Sequence, residues 1–139
     1  MRYLKTTGLI LIFTLSFSLS SEITIDGSLD EAEWKKAQVI ERFYEVYPYS
    51  LREVNDYKTQ ILIIESDKGL YFGFKNYQTN ETMRINNHLR DQERALSDKN
   101  GIVIDFDGDR IEGYNFFISS SGSVGDATGT DEKERNWDW

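Results

Sequence analysis

Two strand-like runs flanking the turn cluster Ser66-Asp67-Lys68-Gly69 constrain this chain more than any other feature. Residues 57–65 and 69–76 are rich in β-branched and aromatic side chains, and Asp, Lys and Gly between them favour a tight reversal, so the segment predicts a hairpin. A second hairpin is predicted from residues 102–106 and 111–119 around Asp107-Gly108-Asp109, because aspartate-glycine is the strongest short-range hairpin signal. Residues 22–25 alternate briefly, and 80–98 read as a strand followed by a loop. Residues 119–136 are small, polar and glycine-rich, which reads as loop. Five or six strands at short intervals, with no internal repeat, predict an all-β sandwich of immunoglobulin or jelly-roll-like type.

One short helix is expected near the start. Ser28-Leu29-Asp30-Glu31 reads as a capping box, in which the Ser28 hydroxyl caps a helix over 29–37 and Glu31 reaches back to the Ser28 amide. Its apolar residues, Ala32, Trp34 and Ala37, are too few for a free-standing helix, so Trp34 is expected in the core.

Ahead of this lies a leader. Arg2 and Lys5 precede the apolar run 8–17, and the small residues Ser18, Ser20 and Ser21 follow, as in a secretory signal peptide over 1–20. The run is shorter than the roughly twenty residues of a membrane span. Residues 22–139 then form one domain with a single core.

The formal charge is −8, and removing the two leader cations takes it to −10. Such a chain is repelled by phosphate backbones and anionic lipid surfaces, which argues against nucleic acid as a partner. No cysteine is present, so disulfides, thiolate chemistry and a lipoprotein anchor are excluded. His88 is the single histidine, which precludes a multi-histidine metal site within one chain and leaves only a weak haem reading with Met83.

Asp105, Asp107 and Asp109 alternate across a turn, a pattern that invites calcium. The EF-hand pattern fails, because Arg110 stands where the sixth-position glycine belongs and Phe116 where the bidentate glutamate belongs. The plain alternative is a solvated hairpin tip. Read as a glycosidase carboxylate pair, the same residues have no supporting feature. Arg90 can fork onto sugar hydroxyls or onto a carboxylate, with Asp91 beside it. The alternative is an ion pair with Asp98 or Asp126 that pins a loop to the sheet. Three tryptophans and eight tyrosines suit either a β core or a ring-lined face. Trp137 and Trp139 are the stacking candidates, with Tyr47, Tyr49 and Tyr77 as further rings beside loops.

The run Ile25-Asp26-Gly27-Ser28-Leu29-Asp30-Glu31-Ala32-Glu33-Trp34-Lys35-Lys36-Ala37 closely resembles the opening of the family 9 carbohydrate-binding-module-like domain. Further similarities follow in order: 59–74 with Leu70-Tyr71, Arg90-Asp91, Ser97-Asp98, Ile104-Asp105, Asp109-Arg110, 114–116, Gly122, Asp126 and Trp137-Asp138. The resemblance covers 22–139. It is greatest to exported bacterial proteins that carry this domain ahead of an outer-membrane-associated, β-rich region. It implies non-catalytic carbohydrate binding linked to carbohydrate catabolism, calcium at Asp105, Asp107 and Asp109, and a place in the periplasm or outer membrane of a Gram-negative bacterium. With the terminal tryptophans, it also predicts a sandwich that is incomplete at its C-terminal end. The other function it allows is a structural or sensory domain that fronts the outer-membrane region and binds no sugar. One departure bears on binding: sugar-binding members carry a stacking tryptophan three residues before the aspartate matched by Asp98, where this chain has Ala95.

Overall fold

The computed structural model describes residues 22–47, 49–54, 56–92, 95–129 and 135–137. The leader and Trp139 lie outside the described residues. The fold is all-β, two three-stranded antiparallel sheets with a single 3₁₀ turn among the described residues.

Sheet one runs β1 (Gln38–Ile40), β2 (Thr59–Ser66) and β3 (Gly69–Asn76), with β2 in the centre. The β2–β3 hairpin is the predicted one. Its turn is shaped by Ser66 Oγ, which accepts the Lys68 amide at 3.1 Å. In this register Leu62 faces Gly73, and on that side of the sheet the space above Gly73 is filled by Leu29 and Trp34. A Cβ at Gly73 would lie 2.9 Å from Leu29 Cδ2 and 3.1 Å from Trp34 Cη2, so the close approach requires glycine. Trp34 is accordingly in the core, 7% exposed.

The helix that carries Trp34 is shorter than the sequence suggests. It is a 3₁₀ helix over Ala32–Lys36, and no side chain caps its first turn. Ser28 is instead held in a turn, its amide donating to Asp26 Oδ1 at 2.8 Å. Glu31 does reach back, but to the Thr24 amide at 2.7 Å, while its other oxygen accepts the Trp34 indole N–H at 2.9 Å. The carboxylate thus orients the buried ring from outside, and the box motif serves tertiary packing rather than a long helix.

Sheet two runs β4 (Lys99–Ile104), β5 (Gly113–Ser119) and β6 (Val124–Gly129), with β5 in the centre. The second predicted hairpin is present, but its loop is wide, because Ile104 pairs with Tyr114 and residues 105–112 lie outside the ladder. Asp105 builds this loop by accepting the Gly108 amide at 2.7 Å and the Arg110 amide at 2.8 Å.

Two expectations require correction. Residues 124–129 are a strand, not loop. Gly125 and Ala127 alternate inward because the neighbouring strand already fills that layer: a Cβ on Gly125 would sit 2.3 Å from the Phe117 ring. Small residues there are a packing requirement that resembles loop composition. Conversely, the described residues of 80–98 contain no strand. Their polar side chains compete with a ladder for the backbone. Ser97 Oγ accepts the Asn86 amide at 3.0 Å, and Asp98 Oδ2 accepts the Arg84 amide at 3.0 Å.

The remaining faces of the two sheets are apolar. Register places Ile61, Ile63, Phe72 and Phe74 on one face of sheet one, and Ile102, Ile104, Tyr114 and Phe116 on one face of sheet two. All eight are only half-buried. The sheets are joined by a side-chain bond from Asn76 Nδ2 to Asn100 Oδ1, 3.1 Å long.

Candidate functional site: a cleft between the sheets

The strand ends that carry this bond also carry a cleft of about 700 Å³. Sheet one contributes Thr59, Ile61, Phe74 and Asn76; sheet two contributes Lys99, Asn100, Gly101, Ile118 and Ser119, and Phe43, Gln78, Met83 and Arg84 complete the wall with Ser97, Asp98 and Ser120. The lining therefore combines two phenylalanines with amides, hydroxyls and paired charges. That mixture suits a ligand with both an apolar face and hydroxyls.

Polar groups in the wall are connected. Thr59 Oγ1 donates to Asn76 Oδ1 at 3.2 Å, and Asn76 passes the chain on to Asn100 Oδ1. This relay leaves the Asn100 Nδ2 donors unused within it. Deeper in the wall, Ser97 is buried and its hydroxyl lies 3.2 Å from Ser120 Oγ, which itself donates to the Arg84 carbonyl at 2.6 Å.

The Asp98 carboxylate accepts three hydrogen bonds at the cleft, one of them from the Arg84 amide. Gln78 Nε2 donates to Oδ2 at 3.0 Å, and Arg84 Nε to Oδ1 at 3.2 Å. Desolvation pushes its carboxyl up, but the Arg84 amide, the Gln78 amide and the Arg84 guanidinium together outweigh it and hold the pKa below the ordinary aspartate value. Burial pushes the Lys99 ammonium down from its usual value, and its Nζ sits 5.2 Å from the centre of the Phe117 ring.

Arg90, Asp91, Trp137 and the aspartates of the second hairpin, singled out from the sequence, lie outside the cleft lining. Arg90 Nε pairs with Asp91 Oδ2 at 3.2 Å, and its Nη2 also pairs with Asp126 on β6. Asp91 Oδ1 accepts the Asp126 amide at 3.2 Å, and the Asp91 amide donates to the Val124 carbonyl. The loop-pinning ion pair open in the sequence is formed, and it is made with Asp126 rather than Asp98. Trp137 is half-buried and packs edge-on against Phe117, ring centres 6.1 Å apart. Asn136 beside it exchanges backbone bonds with Thr128 on β6. Trp137 therefore closes the outer layer of sheet two.

Asp105, Asp107 and Asp109 are not brought together as ligands: among the described residues no group of three or more acidic or histidine side chains could hold a metal ion. Both Asp105 oxygens are occupied by loop amides, and these bonds, the Arg110 amide first, lower its pKa. Asp109 Oδ1 accepts the Ile111 amide at 2.8 Å. Met83 lines the cleft, whereas His88 lies apart, its carbonyl accepting the Ser123 hydroxyl. Tyr77 is fixed by donating to Gln60 Oε1 at 2.9 Å, with Lys58 Nζ 5.6 Å from its ring.

The cleft residues Thr59, Asn76, Gln78 and Asn100 were not legible as a site. Each is an ordinary polar residue at or near a strand end, and only the meeting of two sheets makes them neighbours. Compared with known proteins, the chain matches no family model, no curated protein and no solved structure.

Proposed function

We propose that this chain is an exported, non-catalytic carbohydrate-binding module whose ligand enters the cleft between the sheets. The observation that carries the reading is the lining itself. Phe43 and Phe74 offer apolar rings to the C–H face of a pyranose; the Asn100 Nδ2 donors left over by the relay, with the Gln78 Oε1 and Ser120 Oγ oxygens as acceptors, offer partners for its hydroxyls. The resemblance of 25–37 to the opening of family 9 modules supports it independently. In this reading Arg90, Asp91 and Trp137 hold the domain together, and the sugar is met by the residues of the cleft.

Affinity electrophoresis through gels containing cellulose derivatives, xylan, β-1,3-glucan or α-glucan tests the reading. At least one polymer should retard the protein. Asn100→Ala should weaken that binding about two- to tenfold, the effect of losing roughly 0.5–1.5 kcal/mol of hydrogen bonding. No retardation by any polymer would defeat the reading and favour a structural or sensory domain attached to an outer-membrane partner region.

A further inference from the structure

Phe43 belongs to the cleft, and it also begins a second feature. Beyond β1 the chain runs on along β2 toward Thr59 and then turns back on itself as a narrow ribbon. The Val54 amide donates to the Phe43 carbonyl and the Glu45 amide to the Arg52 carbonyl, both at 2.8 Å, with Tyr44 bridged to Glu53. Charges cluster at the base of this ribbon and are paired there. Arg42 Nε lies 3.2 Å from Glu53, and Arg52 lies 3.6 Å from Glu45 and 3.3 Å from Asp56. Between Val46 and Leu51 the sequence holds no charge.

The end of the ribbon is instead apolar and uncovered. Tyr47 is 94% exposed, Tyr49 77% and Val46 72%. Leu51 adopts a left-handed backbone with φ +55, unusual for a leucine, and the next amide donates to Ser50 Oγ at 3.2 Å. Two tyrosines this exposed contribute little to the core. They form an uncharged, ring-bearing projection that starts from the wall of the cleft.

We infer that this projection is a second contact for the ligand of the cleft, so that the ligand class is an extended, neutral polysaccharide chain rather than a mono- or disaccharide. The inference rests on the carbohydrate reading above. Continuity is its first support, since Phe43 lines the cleft and anchors the ribbon. Reach is the second: at about 3.3 Å per extended residue, Tyr47 stands up to roughly 13 Å beyond Phe43. At a separation near that limit, a ligand touching both places spans more than one sugar ring. Charge is the third. A chain of formal charge −8 repels anionic polymers, and the base of the ribbon carries three carboxylates against two guanidinium groups, while tyrosine faces stack on neutral sugars without regard to charge.

The experiment uses the full chain and the Tyr47→Ala/Tyr49→Ala double variant, checked for equal melting temperature. Each is titrated calorimetrically with cello-, xylo- and β-1,3-gluco-oligosaccharides of two and of six units, and sedimented with phosphatidylcholine vesicles. Expected is a six-unit chain bound about tenfold more tightly than its two-unit counterpart, a gain that the double variant loses while keeping its two-unit affinity. The inference is overturned if the double variant keeps the gain, if wild type shows no gain with length, or if the tyrosines matter only for vesicle binding. A wild type that binds no oligosaccharide and no polymer defeats the carbohydrate reading itself. A length-independent affinity defeats this inference alone.

Discussion

Each sheet carries a glycine on its edge strand opposite a large residue on its central strand: Gly73 faces Leu62 in one and Gly125 faces Phe117 in the other. The two are covered from different distances along the chain. Sheet one receives Leu29 and Trp34 from a segment about forty residues away, held in place by Glu31. Sheet two covers Gly125 with the ring of its own neighbouring strand, and Trp137 then packs on that ring. Non-local cover makes one side chain responsible for a large share of one face. Local cover spreads the same task over a strand pair that already shares a ladder.

The largest effect is therefore expected at Trp34. Trp34→Ala should destabilise the domain by about 3–5 kcal/mol, the usual result of emptying a buried aromatic site. Urea denaturation measures it, and a loss below about 1 kcal/mol would show that sheet one does not depend on its distant cover.

A smaller effect is expected at the locally covered glycine. Gly125→Val forces the Phe117 ring aside and should destabilise by about 1–3 kcal/mol, the range for overpacking. The same melts report it. An unchanged stability would mean that the ring moves freely, and the comparison with Gly73 would lose its meaning.

The smallest effect sharpens the comparison through pH. Glu31 and Asp98 both accept backbone amides, from Thr24 and from Arg84, and both have lowered pKa values, Asp98 in spite of desolvation. A carboxyl depressed in the folded state contributes stability that is present above its unfolded pKa, about 3.9 for aspartate, and is lost as the pH falls through the lower folded value. In an acid titration followed by amide NMR shifts, the Thr24 and Arg84 amides should both respond below that range. Asp98→Asn should abolish the Arg84 response and leave that of Thr24 intact. Loss of both responses would mean that the cleft carboxylate and the one that holds the cover of sheet one are coupled rather than separate.

What the sequence alone determined about this protein is what local chemistry can dictate. Ser66-Asp67-Lys68-Gly69 reverses the chain through its own backbone preferences and Asp107-Gly108 marks the place of the second, wider reversal, so both hairpins and the all-β class were legible in the sequence. Trp34 was readable as core because so short a helix must lean on something. Tertiary structure decided the rest. Gly125 and Ala127 count as strand residues only beside Phe117, and Glu31 caps no helix because Thr24 and the Trp34 indole reach it first. Arg90 had two carboxylates open to it in the sequence, and only the approach of its loop to β6 chose Asp126. The cleft was the least legible of all. Thr59, Asn76 and Asn100 become one surface only where two sheets meet, and a one-dimensional pattern of residues holds no record of which sheet ends will face each other.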